Sequence, residues 1–320
     1  MRHTKDMETS RNTDETHLTN SIFQRPWWLD AVAPNSWDAI EIKSGEQVVA
    51  RMPYVSKKAH GLSQIYMPPL TQTLGPWLAR STAKYAKQLA QQKDLMTSLI
   101  EQLPPCDYFQ QRFHYSITNW LPFYWKGYEQ TTRYTYVLDN LNDQDKLWSD
   151  LQENIRREIK KAQKQLIVSN DLPIEQLYES CRKTYQRQNL KVPFDLQLIE
   201  RIHSACISNS AGRTFFALDS QDRVHASIFI IWDQDSAYYL IGGGDPELRS
   251  SGAMSLLLWE AIQFANSVTN RFDFEGSMVE PIERYFRAFG ARQVPYFEIR
   301  RATPRAKLIL GAKEVLRKFK

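Results

Sequence analysis

The sequence predicts an α+β fold divided into two domains, and three observations carry that expectation. The chain has 320 residues, about twice the length that one hydrophobic core usually serves. Its second half holds three extended runs, RTFFALD (213–219), VHASIFIIWD (224–233) and AYYLIGGG (237–244). Polar turns too short for anything but antiparallel hairpins join them. Beyond that meander the hydrophobic period switches from two to about 3.6, and the order becomes strand, strand, strand, helix, strand, helix, strand.

Composition sets the bounds. A hydrophobic content of 42% is enough to fill two cores. The net charge of +5 is concentrated at one end: Arg300 to Lys320 contains eight basic residues and one acidic residue, which leaves the rest of the chain at about −2. A protein that binds DNA along its whole surface needs a basic stripe on the folded domain, so no DNA partner is expected. Cys106, Cys181 and Cys206 are too widely spaced for a CxxC pair or a disulfide framework, and the six histidines show no metal-ligand spacing. A cytoplasmic location follows from that cysteine usage. Residues 1–20 are polar and read as a disordered leader, and no later stretch approaches the ~20 apolar residues of a membrane span.

The first domain is expected over 21–138. SIFQRPWWLDAV begins it, and Glu41 to Pro53 contains two extended runs joined at Lys43, Ser44 and Gly45, a hairpin with glycine in its turn. The prolines and Gly75 of IYMPPLTQTLGPWL forbid regular structure across most of that segment. A helix follows from about Thr82 to Leu103, then short aromatic-rich extended pieces over 106–138.

The second domain is expected over 139–303. It opens with a helix whose apolar residues Leu147, Leu151, Ile155, Ile159, Ala162 and Leu166 recur at steps of three or four. Arg156, Arg157, Lys160, Lys161 and Lys164 flank that stripe, either as a solvated basic face or as a site for an anionic carrier or substrate. Helices are expected at about 174–189 and 194–209. After the meander come a helix with Met254, Leu257, Leu258, Ala261 and Ala265 on one face, the strand RFDFEG (271–276), and a helix from Pro281 to Phe289. Pro281 suits its first turn and Gly290 the left-handed position after its end. A strand over about 293–300 precedes a basic amphipathic tail helix, 304–320, that could lie on an anionic membrane surface or dock on protein.

The text SGAMSLLLWEAIQFA, RFDFEGS and IERYFRAFGA, with the basic helix NIRREIKKAQK, resembles the FemAB-like branch of the N-acetyltransferase (GNAT) superfamily. That resemblance implies two GNAT-like domains, each a mostly antiparallel central sheet flanked by helices. It implies an acyltransferase that moves an acyl or aminoacyl group to an amine acceptor bound in an interdomain cleft, the acceptor being a small molecule or a cell-envelope precursor. No tightly bound cofactor is expected. The donor is left open among acyl-coenzyme A, acyl-carrier protein and aminoacyl-tRNA. Acetyl-coenzyme A members carry an Arg/Gln-x-x-Gly-x-Gly/Ala turn, matched here by Arg249 and Gly252 but not by Met254, a departure that favours other donors. The alternative is a non-catalytic binding or scaffold protein on the same fold, recruited to the inner membrane face by its tail.

Acyl transfer needs an oriented carbonyl, donors for the developing oxyanion and a route for the amine proton. The residues expected to bind a donor are Gly242, Gly243 and Gly244, permitting close backbone approach or merely forming a mobile turn, and Arg249, Ser251 and Gly252 at a helix start. Asp273 and Glu275 are expected on one face of a strand, where burial would make Glu275 the base and exposure would leave ordinary surface carboxylates. Tyr238 and Tyr239 alternate across their strand, so that one should face the site, Tyr238 as a catalytic candidate and Tyr239 as a substrate contact. Arg287 falls where the FemAB-like branch has a lysine, which implies oxyanion or phosphate binding, with a helix-end role as the other reading. Arg156, Lys160 and Arg284 are further substrate-binding candidates, while His225 in the middle strand reads as structural.

Overall fold

A computed structural model describes residues 18–276 and 278–318, with side chains described through Gly311. The chain forms two compact units, one of residues 1–133 with 296–320 and the other of residues 134–295. The expected leader lies outside the described residues up to residue 17. Asn20 is held in place, its amide nitrogen Nδ2 donating to the Pro76 carbonyl at 2.8 Å.

The first unit begins with helix α1 (Pro26–Val32), started by a proline at its first position, where the missing N–H costs nothing. The hairpin of β1 (Trp37–Ser44) and β2 (Gln47–Ala59) turns at Gly45, whose φ is +63°. Then come β3 (Leu62–Tyr66), β4 (Trp77–Leu78), α2 (Tyr85–Glu101), β5 (Tyr108–Arg112) and α3 (Leu121–Trp125). The strand order is β1-β2-β3-β5, with β4 on β2. One sheet face carries Ile65 and Phe109 into a core closed by Met96, Leu99 and Ile100 of α2.

Strand β6 (Glu129–Asp139) leads into the second unit. The single expected helix over 147–166 is two helices, α4 (Gln144–Asp150) and α5 (Glu153–Ala162). The stripe is buried as expected. The break arises because Gln152 N–H donates to the Ala288 carbonyl at 2.8 Å, a tertiary bond that replaces a helical one, while Arg156 donates to the freed carbonyl of Ser149 at 2.9 Å.

Next are β7 (Ile167–Ser169), α6 (Ile174–Arg187), α7 (Leu196–Ser208), and the meander of β8 (Gly212–Leu218), β9 (Val224–Trp232) and β10 (Ala237–Gly244). Helix α8 (Ala253–Ala265), β11 (Arg271–Asp273) and α9 (Glu280–Arg287) complete the unit. Strand β12 (Arg292–Ala302) then starts in this unit and ends in the first, where it pairs with β5 and is followed by α10 (Pro304–Lys318). The order here is β6-β11-β10-β9-β8-β7, antiparallel except for β10 with β11. Ala226, Ile228 and Ile230 of β9 face α8, whose apolar residues fill the largest core. No helix among the described residues is long and apolar enough to cross a membrane. Of the tail's apolar stripe, the side chains of Ala312, Val315, Leu316 and Phe319 lie outside the described residues.

Candidate functional site

The strand expected over 271–276 stops at Asp273, and the reason it stops creates the candidate site. Asp273 is 1% exposed, and its Oδ1 accepts from Thr135 Oγ1 and from Glu275 N–H, the latter at 2.8 Å. That second bond closes a tight turn, and both Glu275 and Gly276 take positive φ, +56° and +64°. A Cβ on Gly276 would lie 2.2 Å from the Tyr134 carbonyl oxygen, so the turn presses against β6 and only glycine fits. Phe274 N–H bonds to Tyr136 O at 2.9 Å. The chain thus follows β6 and leaves β10, which pairs with β11 only through Ala237 and Tyr238. From Tyr239 to Gly244 strand β10 keeps β9 as its one strand partner, with a bulge between Tyr239 and Ile241.

This arrangement corrects the expectation that Asp273 and Glu275 share a strand face. Asp273 is a buried carboxylate that forms the turn; Glu275, half-buried, stands beyond it. Glu275 acts electrostatically on the Tyr239 hydroxyl together with Cys181 and Tyr185 of α6 and Tyr285 of α9. Burial raises the Tyr239 pKa far above the ordinary phenol range, with those neighbours adding to it. Tyr238 points the other way, 1% exposed, its hydroxyl donating to Asp233 at 3.4 Å, and belongs to the packed side.

Sequence reasoning did not single out Ser255, Tyr285 or Glu158 as chemical residues, yet they form one hydrogen-bonded chain. Ser255 Oγ donates to Glu158 Oε2 at 2.5 Å and lies 2.8 Å from the Tyr285 hydroxyl. A hydroxyl has one proton, so Ser255, giving its own to Glu158, accepts from Tyr285. Ser255 is buried and Glu158 is exposed, so the chain runs from the interior to solvent. Burial holds the Tyr285 hydroxyl well above its ordinary pKa. Two sequence signals were available: one serine on the buried side of an otherwise apolar helix, and one acid within the run RREIKK.

The glycines serve packing. Gly242 to Gly244 lie within β10 instead of a mobile turn. A Cβ on Gly243 would meet the Ser180 carbonyl oxygen of α6 at 2.3 Å, and one on Gly242 would meet the Tyr239 hydroxyl at 2.5 Å. The Gly244 N–H donates to Thr184 Oγ1 at 2.9 Å. Gly252 has φ +81°, starts α8, and approaches the Glu158 carbonyl so closely that a Cβ would lie 2.5 Å away. Its neighbour there is the backbone of α5. Ser251 is buried and its Oγ accepts from Ala253 N–H at 3.3 Å. Met254 packs against the core.

The cations divide. Arg156 is spent on Glu153 at 2.9 Å and on the end of α4. Arg284 and Arg287 pair with Glu280 and Glu283 along α9, at 3.5 and 2.9 Å, on its solvent side. Lys160 is exposed, 5.9 Å from the Trp148 ring centroid. Lys161 donates to the Ser250 carbonyl at 2.6 Å, which brings the basic face of α5 to the loop holding the exposed Arg249. His225 is buried and bonded to Asp219 at 3.1 Å. Among the described residues no group of three His, Cys, Asp or Glu is placed to hold a metal ion.

A meander, a strand that parts from its parallel neighbour, and helices on both sheet faces make up the fold of the second unit. Residues 149–287 match the family model described as acetyltransferase (GNAT) domain. Among solved structures it is similar to FemX, 11% identical with a TM-score of 0.67, covering 88% of this chain and 93% of that one. A conserved protein of unknown function from Bacteroides thetaiotaomicron is 10% identical, TM-score 0.56, covering 92% and 97%. L-PGS from Bacillus licheniformis is 9% identical, TM-score 0.51, covering 83% and 85%. At these identities the likeness concerns the fold. A search of curated proteins finds no match.

Proposed function

We propose that this protein transfers an acyl or aminoacyl group from an activated carrier to an amine, as a FemAB-like acyltransferase. The observation that carries the reading is the Tyr285–Ser255–Glu158 chain in the unit where β10 parts from β11. Attack of an amine on a carbonyl places positive charge on nitrogen and negative charge on oxygen. Backbone N–H groups of β10 beyond its bulge suit the oxyanion. The nitrogen gives its proton to the Tyr285 oxygen as Tyr285 passes its own to Ser255, and Ser255 delivers one to the Glu158 carboxylate, which exchanges with water; collapse of the oxyanion then breaks the bond between the carbonyl carbon and the carrier, which leaves as its thiol or hydroxyl group. Glu275 would orient the incoming amine near Tyr239. The first turn of α8, with Lys161 and Arg249 beside it, supplies positive potential for an anionic carrier. A cell-envelope precursor is the acceptor that the resemblance to the FemAB-like branch implies.

The test is transfer of labelled acyl or aminoacyl groups from acyl-coenzyme A, acyl-carrier protein and aminoacyl-tRNA to a panel of amines, using the full chain. Turnover that Tyr285→Phe abolishes in a folded protein is the expected result. Absence of transfer from all three donors would leave a binding protein on an acyltransferase fold.

A further inference from the structure

In the first unit, four side chains that the proposed transfer does not use form a separate charged cluster. Glu298 of β12 is 1% exposed, and three guanidinium groups surround it. Arg112 Nε of β5 is 2.9 Å from its Oε2, Arg133 Nη1 of β6 is 3.3 Å from the same oxygen, and Arg300 Nη2 of β12 pairs with Oε1. Register explains the gathering. Glu298 sits opposite Arg112 and Arg300 opposite Gln110, and residues two apart on a strand share a face. That face is opposite the one packed by α2, since Phe109 and Ile299, the alternate residues, line the core.

Charge and hydrogen-bond capacity both exceed what Glu298 can satisfy. Three guanidiniums against one carboxylate leave a local excess of two positive charges. Each guanidinium presents a fork of N–H donors, and Glu298 accepts one hydrogen bond from Arg112 and one from Arg133 while forming an ion pair with Arg300. Arg133 Nε is buried and has no hydrogen-bond partner among the described residues. The three side chains remain accessible, at 28%, 26% and 48% exposure for Arg112, Arg133 and Arg300. Tyr108, half-buried on the same face, shares their electrostatic environment.

We propose that Arg112, Arg133 and Arg300 form a binding site for a phosphate monoester or an equivalent doubly charged oxyanion, with Glu298 as the positioning residue. A dianion neutralises the excess, and planar forks match its oxygens. Glu298 keeps the cations together in the free protein, which lowers the ordering cost of binding. The site is independent of the transfer proposed for the second unit.

Inorganic phosphate is the probe, titrated against the full chain carrying Lys161→Gln and Lys164→Gln, so that the basic face of α5 does not contribute. Thermal midpoint and phosphorus-31 line width are read with chloride and acetate as controls. Phosphate, but not acetate, should raise the midpoint, and adding Arg300→Gln or Arg133→Gln should weaken the half-saturating concentration at least tenfold. Arg300, the most exposed of the three, carries the test if the Arg133 variant does not fold. No phosphate effect in the Lys161/Lys164 background, or an effect that Arg300→Gln leaves unchanged, would overturn the proposal.

Discussion

Glu275 combines two features that are seldom found together, a left-handed backbone and a half-buried carboxylate. A side chain in that conformation costs about 1–3 kcal/mol. Glu275→Gly should therefore hold or raise the unfolding free energy, by up to about 1 kcal/mol, while lowering acyl transfer; chemical denaturation and a rate assay read the two effects separately. Asp273 behaves oppositely. Its carboxylate holds the turn through Thr135 and Glu275 N–H, so Asp273→Ala should destabilise by about 1–3 kcal/mol, measured as a lower denaturant midpoint. Tyr285→Phe removes one hydroxyl from the relay and keeps the aromatic packing against Phe286 and Phe289. Turnover should fall by about two orders of magnitude with the melting temperature nearly unchanged. Cys181 offers a further check, because burial pushes its thiol up to about 12. At pH 8 iodoacetamide should label the half-buried Cys106 before Cys181 or Cys206, as peptide mass mapping would show.

Among the elements, helix α6 against strand β10 is the contact most sensitive to a single atom. The Gly243 position lies so close to the Ser180 backbone carbonyl that the neighbour cannot yield as a flexible side chain would. Gly243→Ala should force α6 off the sheet, with a loss of about 1–3 kcal/mol and disturbed packing around Tyr239. The same glycine run shows what is legible from text. Its position at the end of a strand followed from period-two alternation, and the strand boundaries 213–219, 224–233 and 237–244 differ from those observed by one residue at most. What the glycines touch did not follow, because Ser180 is sixty-three positions earlier and no local pattern encodes that approach. The helix over 147–166 teaches the same lesson. Its apolar spacing is right, yet a hydrogen bond from Gln152 to Ala288 divides it.

For the molecule as a whole, acid should weaken both units by the same mechanism. Burial pushes the Glu298 carboxyl up, but Arg112, Arg300 and Arg133 outweigh it and hold it below the usual carboxylate range. Asp139 is likewise pushed up by burial and held below its usual value by hydrogen bonds from Arg292 and Arg271. A carboxyl that binds protons less readily when folded contributes stability above its unfolded pKa of about 4, and that contribution is lost as pH falls through the lower folded value. The melting temperature should be nearly flat from pH 7 to 5 and decline below about 4, with a shallower decline in Glu298→Gln.

Periodicity, turn residues and glycine placement are local properties, and they suffice to establish an α+β chain, the meander, the helix and strand order of the GNAT domain and the residues that enter its core. Pairings between distant segments are another matter. That β12 ends in the first unit, that Asp273 turns the chain onto β6, and that Ser255 joins Tyr285 to Glu158 depend on such pairings: Thr135 and Asp273 are 138 positions apart, Glu158 and Ser255 97, and Ser255 and Tyr285 30. Such contacts exist only after the core has closed, because burial both brings the groups together and excludes the water that would otherwise satisfy them.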